Sequence, residues 1–142
     1  MRIKIQSVHI EEINSHGEET YPEECCGILI GKYEDNIPKV LEIRKMKNVN
    51  SESKKTKYSI DTLEILSLEK ELEDKELEMI GIYHSHPDHP SRPSETDLQY
   101  AWPNLSYIIL SVDNGKANTL TSWRLDIKTE EFVEETIETE IV

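Results

Sequence analysis

A strand-length apolar segment that ends in two histidines constrains the fold of this 142-residue chain more than any other feature. Residues 77–83 form the segment, and His84-Ser85-His86-Pro87 follows it directly. Side chains of a strand alternate between its two faces, so His84 and His86 would project to the same side. Because Pro87 cannot donate to the ladder of hydrogen bonds, the strand would end there. The pattern predicts a strand that presents two imidazoles to one small space.

Asp97 is the carboxylate best placed to join the two imidazoles. A proline-rich loop, 87–93, leads to a short helix that is predicted to begin at Ser94. Residues three apart on a helix are neighbours, so Ser94 and Asp97 would face one pocket. Two imidazoles, one carboxylate and a water make the ligand set of a catalytic zinc, which lowers the pKa of that water to about 7. Iron or cobalt would accept similar donors.

Each motif also has a simpler explanation when it is taken alone. The sequence Ser94-Glu95-Thr96-Asp97 fits a helix capping box, with Asp in place of the usual Glu or Gln. A His-x-His pair by itself is more often a surface feature or a hydrogen-bonding pair. The two motifs together favour the metal site. The roles of Ser94 are compatible, because its backbone can begin the helix while its hydroxyl faces the metal.

A metal-bound water needs a proton acceptor, and two adjacent glutamates are candidates. Glu23 and Glu24 precede an apolar strand predicted over 25–33. Spacing alone does not choose between them.

Charge and composition exclude several classes of protein. The formal net charge is −13, which argues against a nucleic acid partner, because phosphate binding needs clustered Lys and Arg. The longest apolar run, 107–110, is far too short to cross a bilayer, and the N-terminus lacks a secretory signal. We therefore expect a cytoplasmic protein with no membrane partner. Cys25 and Cys26 are neighbours that do not readily pair, which fits a reducing compartment.

The order of patterns predicts one domain, 1–142, of α/β or α+β class, with a mixed sheet and helices packed against it. The predicted strands are 3–5, 25–33, 40–46, 77–83, 106–112, 120–125 and a short one around 132–133. The predicted helices are 8–20, an apolar stripe from Leu63 to Leu72 capped by Asp61, and 94–101. In the strand over 40–46, Leu41 and Ile43 are expected to share a face. Trp102 and Trp123 are expected in the core.

With these motifs the chain resembles the JAMM (MPN+, Mov34-type) metallopeptidases. Residues 21–31, Tyr-Pro-Glu-Glu-Cys-Cys-Gly-Ile-Leu-Ile-Gly, resemble the opening motif of that family. The pattern His84-Ser85-His86-Pro87, then Ser94 and Asp97, matches its metal motif at every position. The resemblance covers roughly 8–132 and extends to the small prokaryotic branch through three further segments: Trp102-Pro103, 107–112 and 122–125.

The resemblance implies a role for each site residue. Glu24, and not Glu23, matches the catalytic glutamate, and near its reference pKa of about 4.3 it would be ionised at neutral pH. Ser94 matches the serine that stabilises the tetrahedral intermediate. The implied ligands of one zinc ion per chain are His84, His86 and Asp97. The family fold resembles that of cytidine deaminases, with a curved mixed sheet flanked by helices.

The resemblance also implies a class of substrate. The family cuts peptide or isopeptide bonds after the Gly-Gly tail of ubiquitin or ubiquitin-like proteins. Small bacterial members act on ubiquitin-like sulfur-carrier proteins, and this chain has little room for insertions that grip a second ubiquitin. The expected function is therefore hydrolysis after the Gly-Gly end of such a carrier. The alternatives are a deubiquitinase-like isopeptidase acting on lysine-linked modifiers and a non-catalytic MPN interaction module.

Four residues near these motifs have no assigned role. Cys26 would share a face with Glu24 and is expected to be a small core residue. Asp88, His89 and Arg92 lie in the loop beside the metal motif, where they would contact substrate, orient ligands or form a solvated turn.

Overall fold

The computed structural model describes all 142 residues and contains seven strands and three α-helices. In chain order these are β1 (Arg2–Gln6), α1 (Ser7–Thr20), β2 (Cys26–Glu34), β3 (Ile37–Met46), α2 (Thr62–Leu72), β4 (Glu78–Pro87), α3 (Glu95–Gln99), β5 (Ser106–Asp113), β6 (Lys116–Asp126) and β7 (Glu131–Glu140). The prediction of a mixed α/β architecture, with helices beside a sheet, is confirmed. None of the helices has the length and apolar character that a membrane span requires.

The sheet is mixed and curves until it closes. Its strand order is β1-β3-β2-β4-β5-β6-β7, and β1 pairs in parallel with β7 to complete a barrel. The pairing of β4 with β5 is also parallel, whereas β2 pairs antiparallel with both β3 and β4. The contact between β1 and β3 is short, because only Lys4 and Lys39 are in register. Strand β4 lies between β2 and β5.

Two apolar clusters cover the two faces of β2. The larger one joins α1 to the sheet through residues such as Ile13, Leu29 and Leu110. The smaller one lies under α2, where Leu68 and Leu72 are 2% and 3% exposed. This double covering explains why β2 is apolar without alternation, since both faces of the strand are buried. Helix α1 approaches the sheet closely at Gly17, where an added Cβ would lie 2.6 Å from Leu110 Cδ2.

A bulge in β3 corrects one predicted face. Val40 and Ile43 are buried, whereas Leu41 is only partly buried. Consecutive residues of β2 pair with Glu42 and Val40, which leaves Leu41 without a partner in the ladder. The extra residue shifts the alternation by one position, so Leu41 does not lie on the buried face with Ile43, and the expectation that the two residues share a face is wrong.

Helix α2 corrects another expectation. Leu63 and Leu66 are 73% and 56% exposed, so only part of the predicted apolar stripe packs against the sheet, through Ile65, Leu68 and Leu72. The first turn of α2 also borders an open groove, which Thr62 and Ile65 line.

Strand β7 is much longer than its sequence pattern indicates. It covers ten residues and pairs with β6 as well as β1. Its single buried residue is Glu135, whose carboxylate accepts a hydrogen bond from Ser122 Oγ at 2.7 Å. Because β7 lacks the apolar alternation of a half-buried strand, the pattern predicted only a short strand around 132–133.

Candidate metal centre

The side chains of His84, His86 and Asp97 converge at the end of β4. The two histidine Nε2 atoms lie 3.1 Å apart. Asp97 Oδ1 is 3.2 Å from His84 Nε2, and Asp97 Oδ2 is 3.1 Å from His86 Nε2. One ligand atom from each residue lies within 4.8 Å of the others. The three residues singled out in the sequence are thus brought together, although Asp97 comes from a different element.

The sheet explains why both imidazoles point to one side. Strand β4 extends beyond Tyr83 through His84 and His86 to Pro87, so alternation applies to both histidines. Ser85, between them, faces the other way and accepts a hydrogen bond from Cys25 N at 2.8 Å. His84 is fully buried and His86 is 7% exposed, so the donors are withdrawn from bulk solvent.

The hydrogen bond of His86 indicates that the centre suits a cation. His86 Nδ1 donates to the Pro90 carbonyl at 2.9 Å, so in the neutral ring Nε2 carries a lone pair. That lone pair faces the Asp97 carboxylate at 3.1 Å, and two acceptors at this distance require a proton or a cation between them. Two imidazole nitrogens and one carboxylate form a donor set that zinc accepts, so the residues present fit a zinc ion.

Ser94 and Asp97 form the capping box. Ser94 Oγ accepts a hydrogen bond from Asp97 N at 3.0 Å, and Ser94 N donates to Asp97 Oδ2 at 2.9 Å. The second bond fixes the carboxylate in the direction of the histidines. The Ser94 hydroxyl hydrogen is not used in this bond and remains available to another acceptor.

Glu24 lies buried beside the three candidate ligands. It is 4% exposed, and its Oε1 atom has no hydrogen-bond partner. Burial raises the pKa of Glu24 to about 8; the Asp97 charge also raises it, and His86 opposes the rise. The expectation of a carboxylate with an ordinary pKa is therefore wrong in the absence of a metal, because sequence does not reveal desolvation. Its neighbour Glu23 is exposed.

The ligand side chains are strongly coupled to one another. Burial acts to raise the pKa of Asp97, but His84, His86 and the Ser94 amide outweigh it and hold that pKa well below its usual range. Burial lowers the pKa of His84. Burial also acts to lower the pKa of His86, but its hydrogen bonds to Asp97 and the Pro90 carbonyl outweigh it and raise that pKa. The metal-free centre therefore holds an ionised Asp97 carboxylate and a neutral His84 imidazole, and a metal would displace any proton held by His86.

Comparison with known proteins assigns a family. The profile of the family described as "Prokaryotic homologs of the JAB domain" matches residues 6–126. The chain belongs to this prokaryotic JAB family. The resemblance to the small prokaryotic branch of the JAMM metallopeptidases is confirmed, and the chain is a hydrolase of that type.

Named relatives and a solved structure agree with the family. The chain is 30% identical to a CysO-cysteine peptidase of Mycobacterium tuberculosis over 78% of its own length and 74% of the relative. It is 32% identical to a desampylase of Haloferax volcanii over 79% of its length and 82% of that protein. The solution structure of a protein from Desulfitobacterium hafniense superimposes with a TM-score of 0.85 at 28% identity, covering 100% of this chain and 94% of the other.

The JAB-family centre includes an aromatic residue that sequence reasoning missed. Tyr58 stacks on the His84 imidazole, with ring centroids 4.4 Å apart and an angle of 23° between the planes. The stacking restricts rotation of the His84 ring. In the sequence, Tyr58 has no spacing relation to the histidines, so nothing there signals this contact.

An open groove leads to the JAB-family centre. Its volume is about 560 Å³, and Asp97 and Tyr58 belong to its lining. Val49 and Ile65 contribute apolar surface to its lining, together with Trp102. Trp102 is 69% exposed, so its expected place in the core is wrong. Trp123, by contrast, is partly buried and donates through Nε1 to Thr121 Oγ1 at 2.8 Å.

The residues without an assigned role lie outside the donor set. Cys26 is fully buried, and burial raises the pKa of its thiol to about 12, as expected of an unreactive core residue. Asp88 accepts hydrogen bonds from Tyr21 Oη at 2.6 Å and from the Asn114 amide at 2.8 Å, which fixes the loop after β4. His89 and Arg92 are exposed in that loop.

Glu24 predicts an unusual dependence of stability on pH. Its folded pKa of about 8 lies above its ordinary value of 4.5, so between these pH values the folded protein binds a proton that the unfolded chain releases. The free energy of unfolding therefore falls as pH rises from about 5 to 8. The fall is at most roughly 1.4 kcal/mol for each unit by which the folded pKa exceeds the ordinary one. The metal-free wild type should lose at least about 5 °C more in melting temperature over this range than Glu24→Gln. If the wild type and Glu24→Gln lose the same melting temperature over this pH range in the presence of chelator, Glu24 is not buried and protonated in the folded protein.

Proposed function

We propose that this JAB-family enzyme hydrolyses the peptide or isopeptide bond after the Gly-Gly tail of a ubiquitin-like sulfur-carrier protein. The observation that carries the proposal is the convergence of His84, His86 and Asp97, with a buried Glu24 carboxyl close enough for the charges of His86 and Asp97 to act on it. The similar proteins named CysO-cysteine peptidase and desampylase support a protein-conjugate substrate.

The proposed metal is one zinc ion per chain. His84, His86 and Asp97 would hold it, and Tyr58 would keep the first of these rings in place. When bound, zinc lowers the pKa of water towards 7 and polarises a carbonyl oxygen. We also propose that residues 1–142 form one domain with a fold like that of cytidine deaminases. In those enzymes, zinc works together with a glutamate that is not a ligand.

Glu24 is proposed to move the proton. It takes a proton from the attacking water and gives it to the amine that leaves. Its pKa of about 8 in the metal-free protein falls when positive charge is placed at the neighbouring donors. A carboxyl with a pKa near the working pH can both accept and donate a proton, which suits these two steps. Burial raises the pKa of Glu24 and the nearby cation lowers it, so the two opposing effects would bring that pKa near the working pH.

Ser94 is proposed to stabilise the oxyanion. Its Oγ lone pair already accepts the Asp97 amide, so the hydroxyl hydrogen can donate to the developing negative charge. A donor held by its own hydrogen bond needs little reorganisation during the reaction. This role is compatible with the capping box and does not compete with it.

The groove is proposed to hold the tail in an extended conformation. Its apolar lining, which includes Val49, Ile65 and Tyr100, suits the side chains that precede the two glycines. Glycine residues permit close approach to the donors because they have no side chain. Specificity would come from the groove, and the reaction from the centre at its end.

The direct test is cleavage of a carrier extended beyond Gly-Gly by a short peptide. Release of that peptide, followed by mass spectrometry, should require zinc, stop with a chelator and return when zinc is restored. The matched substrate has Ala-Ala in place of Gly-Gly and should remain intact. A lysine-linked conjugate, assayed in parallel, distinguishes the isopeptidase alternative. If the zinc-loaded enzyme cleaves neither substrate across several carriers, the proposed function is wrong.

A further inference from the structure

Glu24 is held by a loop and not by the sheet. Strand β2 begins at Cys26, so Glu24 precedes the ladder. Its amide donates to the Lys54 carbonyl at 2.7 Å, and its carbonyl accepts a hydrogen bond from Asn48 Nδ2 at 3.1 Å. Both backbone groups of Glu24 therefore bind residues 48–59, here called the 48–59 loop, which form most of the connection between β3 and α2.

Asn48 makes four hydrogen bonds in this loop. Its Nδ2 donates to the carbonyls of Glu24 at 3.1 Å and of Lys57 at 3.0 Å. Its Oδ1 accepts from the amides of Asn50 at 3.0 Å and of Ser59 at 3.2 Å. An asparagine side chain offers two donor hydrogens and one carbonyl oxygen with two lone pairs, so every one of these groups is used. Asn48 thus joins both ends of the loop to Glu24, two residues before β2.

The carboxyl of Glu24 has no comparable anchor. It accepts no hydrogen bond from the protein, and its buried Oε1 atom has no partner. The direction of the carboxyl therefore depends on the backbone from which it projects. Catalytic groups lose activity steeply when they are displaced, and a shift of about 1 Å can cost about a hundredfold.

We propose that Asn48 is a positioning residue, which sets the place of the Glu24 carboxyl by clamping the Glu24 carbonyl to the 48–59 loop. The inference rests on the proposed role of Glu24 as the proton carrier. Asn48 lies outside the lining of the groove, whereas its neighbours Val49 and Asn50 belong to it. Loss of the clamp should therefore reduce turnover without a direct effect on binding of the carrier tail.

The test uses Asn48→Asp, which keeps the two accepted hydrogen bonds and removes both donated ones. Asn50→Asp is the matched control, because Asn50 Oδ1 also accepts two backbone amides, those of Glu52 and Ser53, and its Nδ2 donates only to Ser59 Oγ. The Glu24 amide donates to the Lys54 carbonyl of the same loop, so its hydrogen exchange in the metal-free protein, followed by NMR, reports independently of activity on whether the loop stays bound to Glu24. Exchange should accelerate at least about tenfold in Asn48→Asp and stay within about twofold in Asn50→Asp.

Kinetics of the zinc-loaded enzyme form the second readout. Asn48→Asp should lower kcat at least about tenfold while KM and zinc affinity stay within about twofold. Combined with Glu24→Gln, it should add no further loss, because it acts through Glu24. A purely structural role would instead lower the folded, zinc-binding fraction and leave kcat per bound zinc unchanged.

The outcomes separate this inference from the proposed function. If Glu24→Gln is inactive but Asn48→Asp keeps wild-type kcat and Glu24 exchange, the positioning role is wrong and the proposed function stands. If the wild type cleaves no carrier, the proposed function fails. Hydrogen exchange of the Glu24 amide then tests by itself whether Asn48 holds Glu24 to the loop. If Asn48→Asp does not fold, Asn48→Ser replaces it, since its hydroxyl adds no charge. Unchanged exchange and kcat in that folded variant would overturn the inference.

Discussion

Glu24→Gln is expected to reduce cleavage of the extended carrier by a factor of about 10²–10⁴ while the protein still binds zinc. The amide has the shape of the carboxyl but cannot take a proton from water. The fold should tolerate the change, because burial already raises the pKa of Glu24 to about 8, so the native side chain is largely neutral at pH 7 without metal. Turnover and zinc stoichiometry, measured on the same preparation, check both parts of the prediction.

The neighbouring glutamate provides the matched control for this substitution. Glu23 is exposed, whereas Glu24 is 4% exposed and lies beside the candidate ligands. Glu23→Gln makes the same carboxyl-to-amide change one residue away and should leave kcat and KM within about twofold of the wild type. Retained activity in Glu24→Gln would remove this residue from the proposed mechanism, and loss in both variants would indicate a nonspecific effect of charge.

The convergence of His84, His86 and Asp97 could be predicted from the sequence because much of the relevant geometry is local. His84 and His86 share a face through the alternation of one strand, and Ser94 and Asp97 interact within one turn of a helix. Both relations depend on backbone periodicity, which a sequence reveals directly. The position of β4 between β2 and β5 then determines where the histidines lie in the fold.

Features that depend on distant segments could not be predicted in this way. Tyr58 meets His84 across 26 positions of sequence, and Asn48 meets Glu24 across 24, with no periodicity that relates either pair. The bulge at Leu41 reverses a face because of how two strands pair, and not because of its own residues. The raised pKa of Glu24 likewise arises from burial by several elements. Such properties require the three-dimensional packing.

Asp97→Asn is expected to remove zinc binding and cleavage together, in contrast to Glu24→Gln. Asp97 Oδ1 and Oδ2 lie 3.2 and 3.1 Å from the two histidine Nε2 atoms, so the carboxylate provides the negative charge of the donor set. The uncharged amide oxygen of asparagine is a weaker metal ligand than a carboxylate oxygen. The zinc affinity should fall by more than the roughly 10–100-fold that is typical for loss of an outer hydrogen-bond partner of a ligand. Isothermal titration with zinc measures the loss.

The capping box makes this substitution conservative for the fold. The oxygen of the introduced side-chain amide can still accept the Ser94 amide, and the backbone amide at position 97 still donates to Ser94 Oγ, so α3 should form. Glu95→Gln is the control, because it removes one exposed negative charge from the same turn and should leave zinc affinity and turnover unchanged. If Asp97→Asn binds zinc as tightly as the wild type, the carboxylate is not a ligand and the centre must be reassigned. If it loses zinc but keeps turnover, hydrolysis does not depend on the metal.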